Sequence, residues 1–137
     1  MNVFWDTSSI LPLVLREQRQ EDTLSIWESS RNHFAWSWLK VEAEAACVRQ
    51  KATPDQWMEL RSFTDYMGYA DILPSEMDAL LHFNRVIGLR SADAAHLFCF
   101  SKLIDSVRGL FLASFDQEML SVAQRLGYPI HPHCLKA

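Results

Sequence analysis

The sequence predicts an α/β fold: a single domain over residues 1–137, with a mostly parallel central sheet of about five strands between two helical layers. Short β-branched and aromatic runs, among them Val3-Phe4-Trp5, His33-Phe34-Ala35-Trp36 and Leu110-Phe111-Leu112-Ala113, are separated by segments of helical spacing. Strands joined through helices need crossover connections, and these favour parallel pairing. The chain has 137 residues, 49% of them hydrophobic, enough to bury one core, and no repeat, low-complexity stretch or linker divides it.

Element by element, Val3-Phe4-Trp5 reads as a strand ending in Asp6-Thr7-Ser8-Ser9, a polar cluster able to cap the helix that follows. Pro12 is expected in that helix's first turn, where a missing backbone donor costs nothing. A charged turn over 16–22 leads to a short helix over 23–30 and a strand at 33–36. A helix is expected from Ser37, its possible cap, to about Lys51, and Thr53-Pro54-Asp55 restarts a helix reaching about Tyr69. Residues 70–73 are expected to be extended, Pro74-Ser75-Glu76 to open a helix ending at Gly88, and Ser91-Ala92-Asp93 to open another. A buried strand at 109–113, a helix over 115–126 stopped by Gly127, and an edge strand at Tyr128-Pro129-Ile130 complete the chain.

Composition narrows the function classes. No apolar run is long enough to span a bilayer, and Asp6 follows Met1 too closely for a cleavable signal, so a cytoplasmic protein without a membrane partner is expected. Three well-separated cysteines, Cys47, Cys99 and Cys134, fit neither a disulfide framework nor a zinc ribbon. The formal charge of −4 argues against a general nucleic-acid coat. It does not exclude a nuclease: setting four acids aside as cation ligands leaves 13 acids against 13 bases.

In open α/β sheets ligands bind beyond the carboxyl ends of the strands. Asp6 closes the first strand and Asp116 follows the 109–113 strand. Asp93 shares a helix face with His96, Leu97 and Phe100, and Asp116 with Met119, Leu120 and Ala123. Glu42 shares a face with Ala45, Ala46 and Arg49, whereas Glu44 lies about 200° away around the helix. Each acid has a plainer reading: Asp6 as a cap, Asp93 and Asp116 as partners of a helix dipole. Four inward acids without matching bases are nonetheless costly unless paired or metal-bound.

These residues resemble the PIN domain, specifically VapC-type toxins of toxin–antitoxin pairs. The opening Val3-Phe4-Trp5-Asp6-Thr7-Ser8 is similar to the family's first motif. In its second, a serine five residues before and an arginine seven after frame the glutamate, as Ser37 and Arg49 frame Glu42. Ser91 to Leu97 is similar to the third, and Leu112-Ala113-Ser114-Phe115-Asp116 with Leu126-Gly127-Tyr128-Pro129 to the last. Ser114 stands where threonine is more usual, and the tryptophans at 5, 36 and 38 are bulkier than typical. The resemblance spans essentially the whole chain. It implies a three-layer PIN-like sandwich and an endoribonuclease in which Asp6, Glu42, Asp93 and Asp116 hold Mg²⁺ or Mn²⁺, Glu42 alternatively positioning water. Thr7, Ser8 and Ser114 would supply supporting or phosphate-directed hydroxyls. It further implies a structured RNA substrate such as tRNA or rRNA, a cognate antitoxin and a homodimer, with residues 13, 14, 24 and 27 and the helix over 55–69 as candidate partner surfaces.

Other residues admit further readings. His96 is a general acid or, more in keeping with its apolar stripe, a hydrogen-bonded core histidine. His131-Pro132-His133-Cys134 carries metal-capable atoms without a second ligand cluster. Arg16, Lys40, Arg49, Arg85, Arg90 and Lys102 are candidate phosphate contacts, and Trp36, Trp38, Trp57 and Tyr69 candidate stacking surfaces. A DNA or flap nuclease of the same fold, and a non-catalytic protein-binding module, are the competing functions.

Overall fold

Strand formation follows the β-branched and aromatic runs. The computed structural model describes residues 1–135 and contains β1 (Asn2–Trp5), β2 (Asn32–Trp36), β3 (Met67–Ala70) and β4 (Leu110–Ala113). All pair in parallel in the order β3-β2-β1-β4, with Val3 opposite both His33 and Phe111. Seven α-helices are described: α1 (Thr7–Leu15), α2 (Gln20–Ser29), α3 (Leu39–Arg49), α4 (Pro54–Asp65), α5 (Met77–Ile87), α6 (Ser91–Leu103) and α7 (Gln117–Arg125).

Side chains alternate across a strand, and β1 shows what each face meets. Trp5 packs on Trp27 of α2, with ring centroids 5.7 Å apart, and Phe4 packs edge-on against Phe100 of α6 at 5.8 Å. Helices therefore cover both faces. Val3, Phe4, Trp5, Leu97, Phe100 and Leu112 are all fully buried in the resulting core. Cys47, Cys99 and Cys134 are free and buried, and burial pushes the Cys99 thiol up to about 12 and the Cys134 thiol to about 11. No helix among the described residues is long and apolar enough to cross a membrane.

Several boundaries differ from the sequence-based expectation. Among the described residues the sheet has four strands rather than about five: Ile130 makes a single parallel bridge to Leu112 and no ladder. Leu112 N–H donates to Pro129 O and His131 N–H to Leu112 O, both at 2.8 Å, but Pro129 has no N–H to offer and a 3-10 turn begins at Pro132. The third strand comes three residues early, because α4 stops at Asp65 and the chain extends at once through Met67. Gly68 makes this possible beside β2, where an added Cβ would stand 3.3 Å from the Phe34 ring. Pro12 lies inside α1 rather than in its first turn, since the helix begins at Thr7. Ser37 does not cap α3: its hydroxyl bonds the Asp71 carboxylate, and the helix starts at Leu39. Thr53 caps α4 as expected, in a reciprocal box with Gln56.

Leu97→Ala would open a cavity between α6 and the sheet, and we expect it to cost about 2–5 kcal/mol. Urea unfolding of the variant against wild type measures the change.

Candidate acidic active site

Four separate segments meet at the carboxyl edge of the sheet. The chain leaves β1 at Asp6 and β4 at Ser114, and the two exits are tied together by Asp6 N–H donating to Ala113 O at 2.9 Å. Asp6 is 3% exposed, and its carboxylate does not cap α1. Its Oδ2 instead accepts from the Ser8 hydroxyl at 2.6 Å and the Ser114 hydroxyl at 2.9 Å. Ser8 Oγ in turn accepts the Phe115 N–H, and Ser114 Oγ the Asp116 N–H. Two hydroxyls thus orient one carboxylate and pin the loop after β4.

Asp116 does cap α7, its Oδ1 accepting the Met119 N–H at 2.9 Å, so the plainer reading holds for that oxygen. Asp93, in the first turn of α6, is half-buried and titrates near 6 instead of 3.8. Burial is the main cause, and repulsion from Asp116 and then Asp6 adds to it; His96 and Arg90 oppose the rise. Three carboxylates from β1, α6 and the β4–α7 loop therefore share one field.

Glu42 lies on the other side of this group, in the first turn of α3. His96 Nε2 is 2.5 Å from Glu42 Oε1 and 3.8 Å from Asp6 Oδ1, and the Thr7 hydroxyl donates to Glu42 Oε1 at 2.9 Å. Burial pushes Glu42 up, but the His96 hydrogen bond and charge, together with Thr7, hold it below the usual carboxylate range. For His96 burial works downward, and Glu42, Asp6 and Asp93 outweigh it to raise the imidazole above 6.5. The pair's stabilisation is thus complete between about pH 4.5 and 6.5, and is lost as pH rises through the raised His96 value or falls through the lowered Glu42 value. His96 is 1% exposed, and its ring meets the Trp36 edge at 5.0 Å. His96 is thus the hydrogen-bonded core histidine of the second sequence reading, with Glu42 as its partner.

All seven sequence-selected residues, Asp6, Thr7, Ser8, Glu42, Asp93, Ser114 and Asp116, thus fall in one linked network. Among the described residues, no three His, Cys, Asp or Glu side chains form a ready-made metal-ligand group. The donor chemistry still suits a hard cation, because mutual repulsion of Asp93, Asp116 and Asp6 is what a bound positive charge would relieve. Loosely spaced oxygens fit an ion that keeps much of its water shell. Glu42 fits less directly, its Oε1 being occupied by His96 and Thr7.

Among the other selected residues, Trp38 is 49% exposed and stacks on Trp36, forming an aromatic shelf next to His96. Arg90 precedes α6 and acts on Asp93. Arg16 pairs with Glu59, Lys102 with Glu76, and Lys40 lies over the Tyr69 ring. His131 and His133 stack in the 3-10 turn Pro132–Cys134 and its flank, and the His133 N–H donates to His131 Nδ1. Compared with known proteins, the chain matches no protein-family model and no curated protein.

Replacing Asp93 by Asn removes the burial cost and the repulsion that exist only when the carboxylate is ionised. The native value of about 6 lies above the unfolded 3.8, so the penalty is full above pH 6 and disappears as pH falls towards 4. The rise corresponds to at most about 3 kcal/mol, and solvent access at this half-buried position brings the expected gain to about 1–2 kcal/mol. Thermal unfolding in chelator should show Asp93→Asn more stable than wild type at pH 7.5 and indistinguishable from it at pH 4.

Proposed function

We propose that the chain is a metal-dependent endoribonuclease with a PIN-like three-layer architecture, resembling the toxin of a toxin–antitoxin pair. The observation that carries this reading is the convergence of Asp6, Asp93 and Asp116 from three distant segments, with Asp93 driven up to about 6 partly by the other two. A protein-binding module gains nothing from such repulsion, whereas a phosphodiester hydrolase needs it to attract a cation.

Asp6, Asp93 and Asp116 would hold Mg²⁺ or Mn²⁺, which when bound offsets phosphate charge and acidifies a water. The remaining roles belong to the chain's own groups. Ser8 and Ser114 keep the Asp6 carboxylate in one orientation, so no rotamer search precedes binding. Asp93, raised to about 6, is ionised at neutral pH and offers its carboxylate at the cost of repulsion from the other two. Glu42, ionised at neutral pH and fixed by His96 and Thr7, orients the attacking water rather than ligating metal. Trp38 on its Trp36 support offers a face on which an unpaired base beside the scissile phosphate stacks.

A cognate antitoxin, a homodimer and a cytoplasmic setting belong to the same reading. Of the partner surface expected from the sequence, Leu13 and Val14 are buried while Leu24 is exposed; exposed apolar side chains that support partner binding are Val41 and Val48 on α3 and Met77 and Leu81 on α5, each about half exposed or more.

Purified protein incubated with total cellular RNA should yield discrete fragments with Mg²⁺ or Mn²⁺ and none with chelator. Asp6→Asn and Asp93→Asn should each lose on the order of 100-fold or more of the rate, and Ser114→Ala about tenfold. Equal behaviour of folded wild type and variants would sink the nuclease reading, and cleavage of DNA alone would move it to a deoxyribonuclease.

A further inference from the structure

The opposite edge of the sheet carries a second, differently charged surface. Two cavities, of about 470 and 560 Å³, lie at the amino ends of the strands and share Arg31 and Asn32 as lining residues. The first extends to Trp27, His33 and Tyr66 beside β3, and the second runs past Asn2 to Arg108 beside β4. The two adjoin at these shared residues along the amino edge, and are called the groove below. No acidic side chain lines either part.

Both arginines are exposed, and neither makes an ion pair among the described residues, although the chain holds 17 acids. Their main chains are engaged: Arg31 N–H donates to Met1 O, and Arg108 O accepts from the Asn2 amide. The guanidiniums therefore project from a fixed frame. Tyr66 is 77% exposed and has no ring partner among the described residues. His33 stacks on Trp27 with centroids 3.8 Å apart and planes 14° from parallel. Its Nδ1 accepts from the Trp5 indole at 3.0 Å, so its proton sits on Nε2, for which the described residues supply no acceptor. Burial holds this imidazole down to about 4, keeping it neutral at physiological pH.

From these features we propose that the groove is a second binding site for single-stranded RNA. Arg31 and Arg108 take successive phosphates, a base stacks on Tyr66, and the His33 Nε2–H donates to a base or phosphate oxygen. Both volumes fall within the range of small-ligand sites and accommodate a nucleotide each. Guanidinium on phosphate with aromatic on base is the recurring chemistry of sequence-tolerant strand binding. A strand of four or five residues spans about 13–17 Å. RNA cut at the carboxyl edge would thus reach the groove through a separate single-stranded part of a structured substrate. The choice of RNA rests on the nuclease reading above; the binding itself does not need cleavage.

The test uses full-length Asp93→Asn protein in chelator, so that binding is read without cutting. Fluorescence anisotropy of a labelled oligouridylate of about ten nucleotides gives Kd as a function of salt. Arg31→Ala with Arg108→Ala should raise Kd about tenfold and flatten the log Kd against log salt slope by about 1.4, two phosphates' worth. Tyr66→Ala should weaken binding about tenfold with the slope unchanged. All three side chains are exposed, and an unaltered circular dichroism melt verifies folding. Unchanged Kd and slope in the double variant overturn the proposal. So does equal competition by poly-glutamate, which would make the groove an acidic-peptide surface, or displacement by uridine monophosphate at matched nucleotide concentration, which would make it a free-nucleotide site. Loss of metal-dependent cleavage in wild type would refute the nuclease reading while leaving these binding outcomes intact.

Discussion

The hydrogen bond between His96 and Glu42 is what lets this fold concentrate acids at one edge of its sheet. Four carboxylates drawn into a partly dry site would repel one another, and burial makes each more costly to ionise. His96 supplies a cation from within: it is almost wholly buried, held against Glu42 at 2.5 Å, and within 3.8 Å of Asp6. Its raised proton affinity and the lowered value of Glu42 are two sides of one interaction. One acid is thereby neutralised locally, and the other three keep their mutual repulsion. The division explains why Asp93, and not Glu42, carries the rise.

The sheet register places that pair. β1 lies between β2 and β4, so its end delivers Asp6 between the exit of β2, which leads to Glu42, and the exit of β4, which leads to Ser114 and Asp116. The Phe4–Phe100 contact seats α6 beneath the same strand, and Asp93 and His96 lie two turns and one turn before Phe100 on that helix. A one-residue slip of β1 would exchange the faces of Phe4 and Trp5 and withdraw Asp6 from the edge. Core packing and site geometry are therefore the same constraint.

Much of this was legible in the residues. Parallel strands followed from apolar runs separated by helical ones, and the site acids followed from their places after strands or in first helical turns. What sequence misplaced has local causes. The helix-like spacing of residues 57–64 gives no sign that α4 stops at Asp65, and Gly68 reads as a strand residue only once Phe34 is seen above it. Ser37 has the composition of a cap, yet Asp71, 34 residues away, claims its hydroxyl. The Glu42–His96 pairing spans 54 residues and leaves no periodic trace. Arg31 and Arg108 escaped selection because neither belongs to a motif; only the alignment of Asn2, Asn32 and Leu110 at the strand starts brings them to one groove.

A parallel sheet makes its two edges chemically unequal, and the loops here exaggerate the difference. Every strand begins at one edge and ends at the other, so residues before strands and residues after strands collect on opposite sides of the molecule. Arg31 and Arg108 precede strands, while Asp6 and Asp116 follow them. The net charge of −4 averages over this polarity and conceals it. A polyanion approaching the protein meets at the amino edge guanidiniums that make no ion pair among the described residues, and at the carboxyl edge a group of carboxylates that repels phosphate. The two edges thus present opposite fields to the same polyanion, attractive at the amino edge and repulsive at the carboxyl edge.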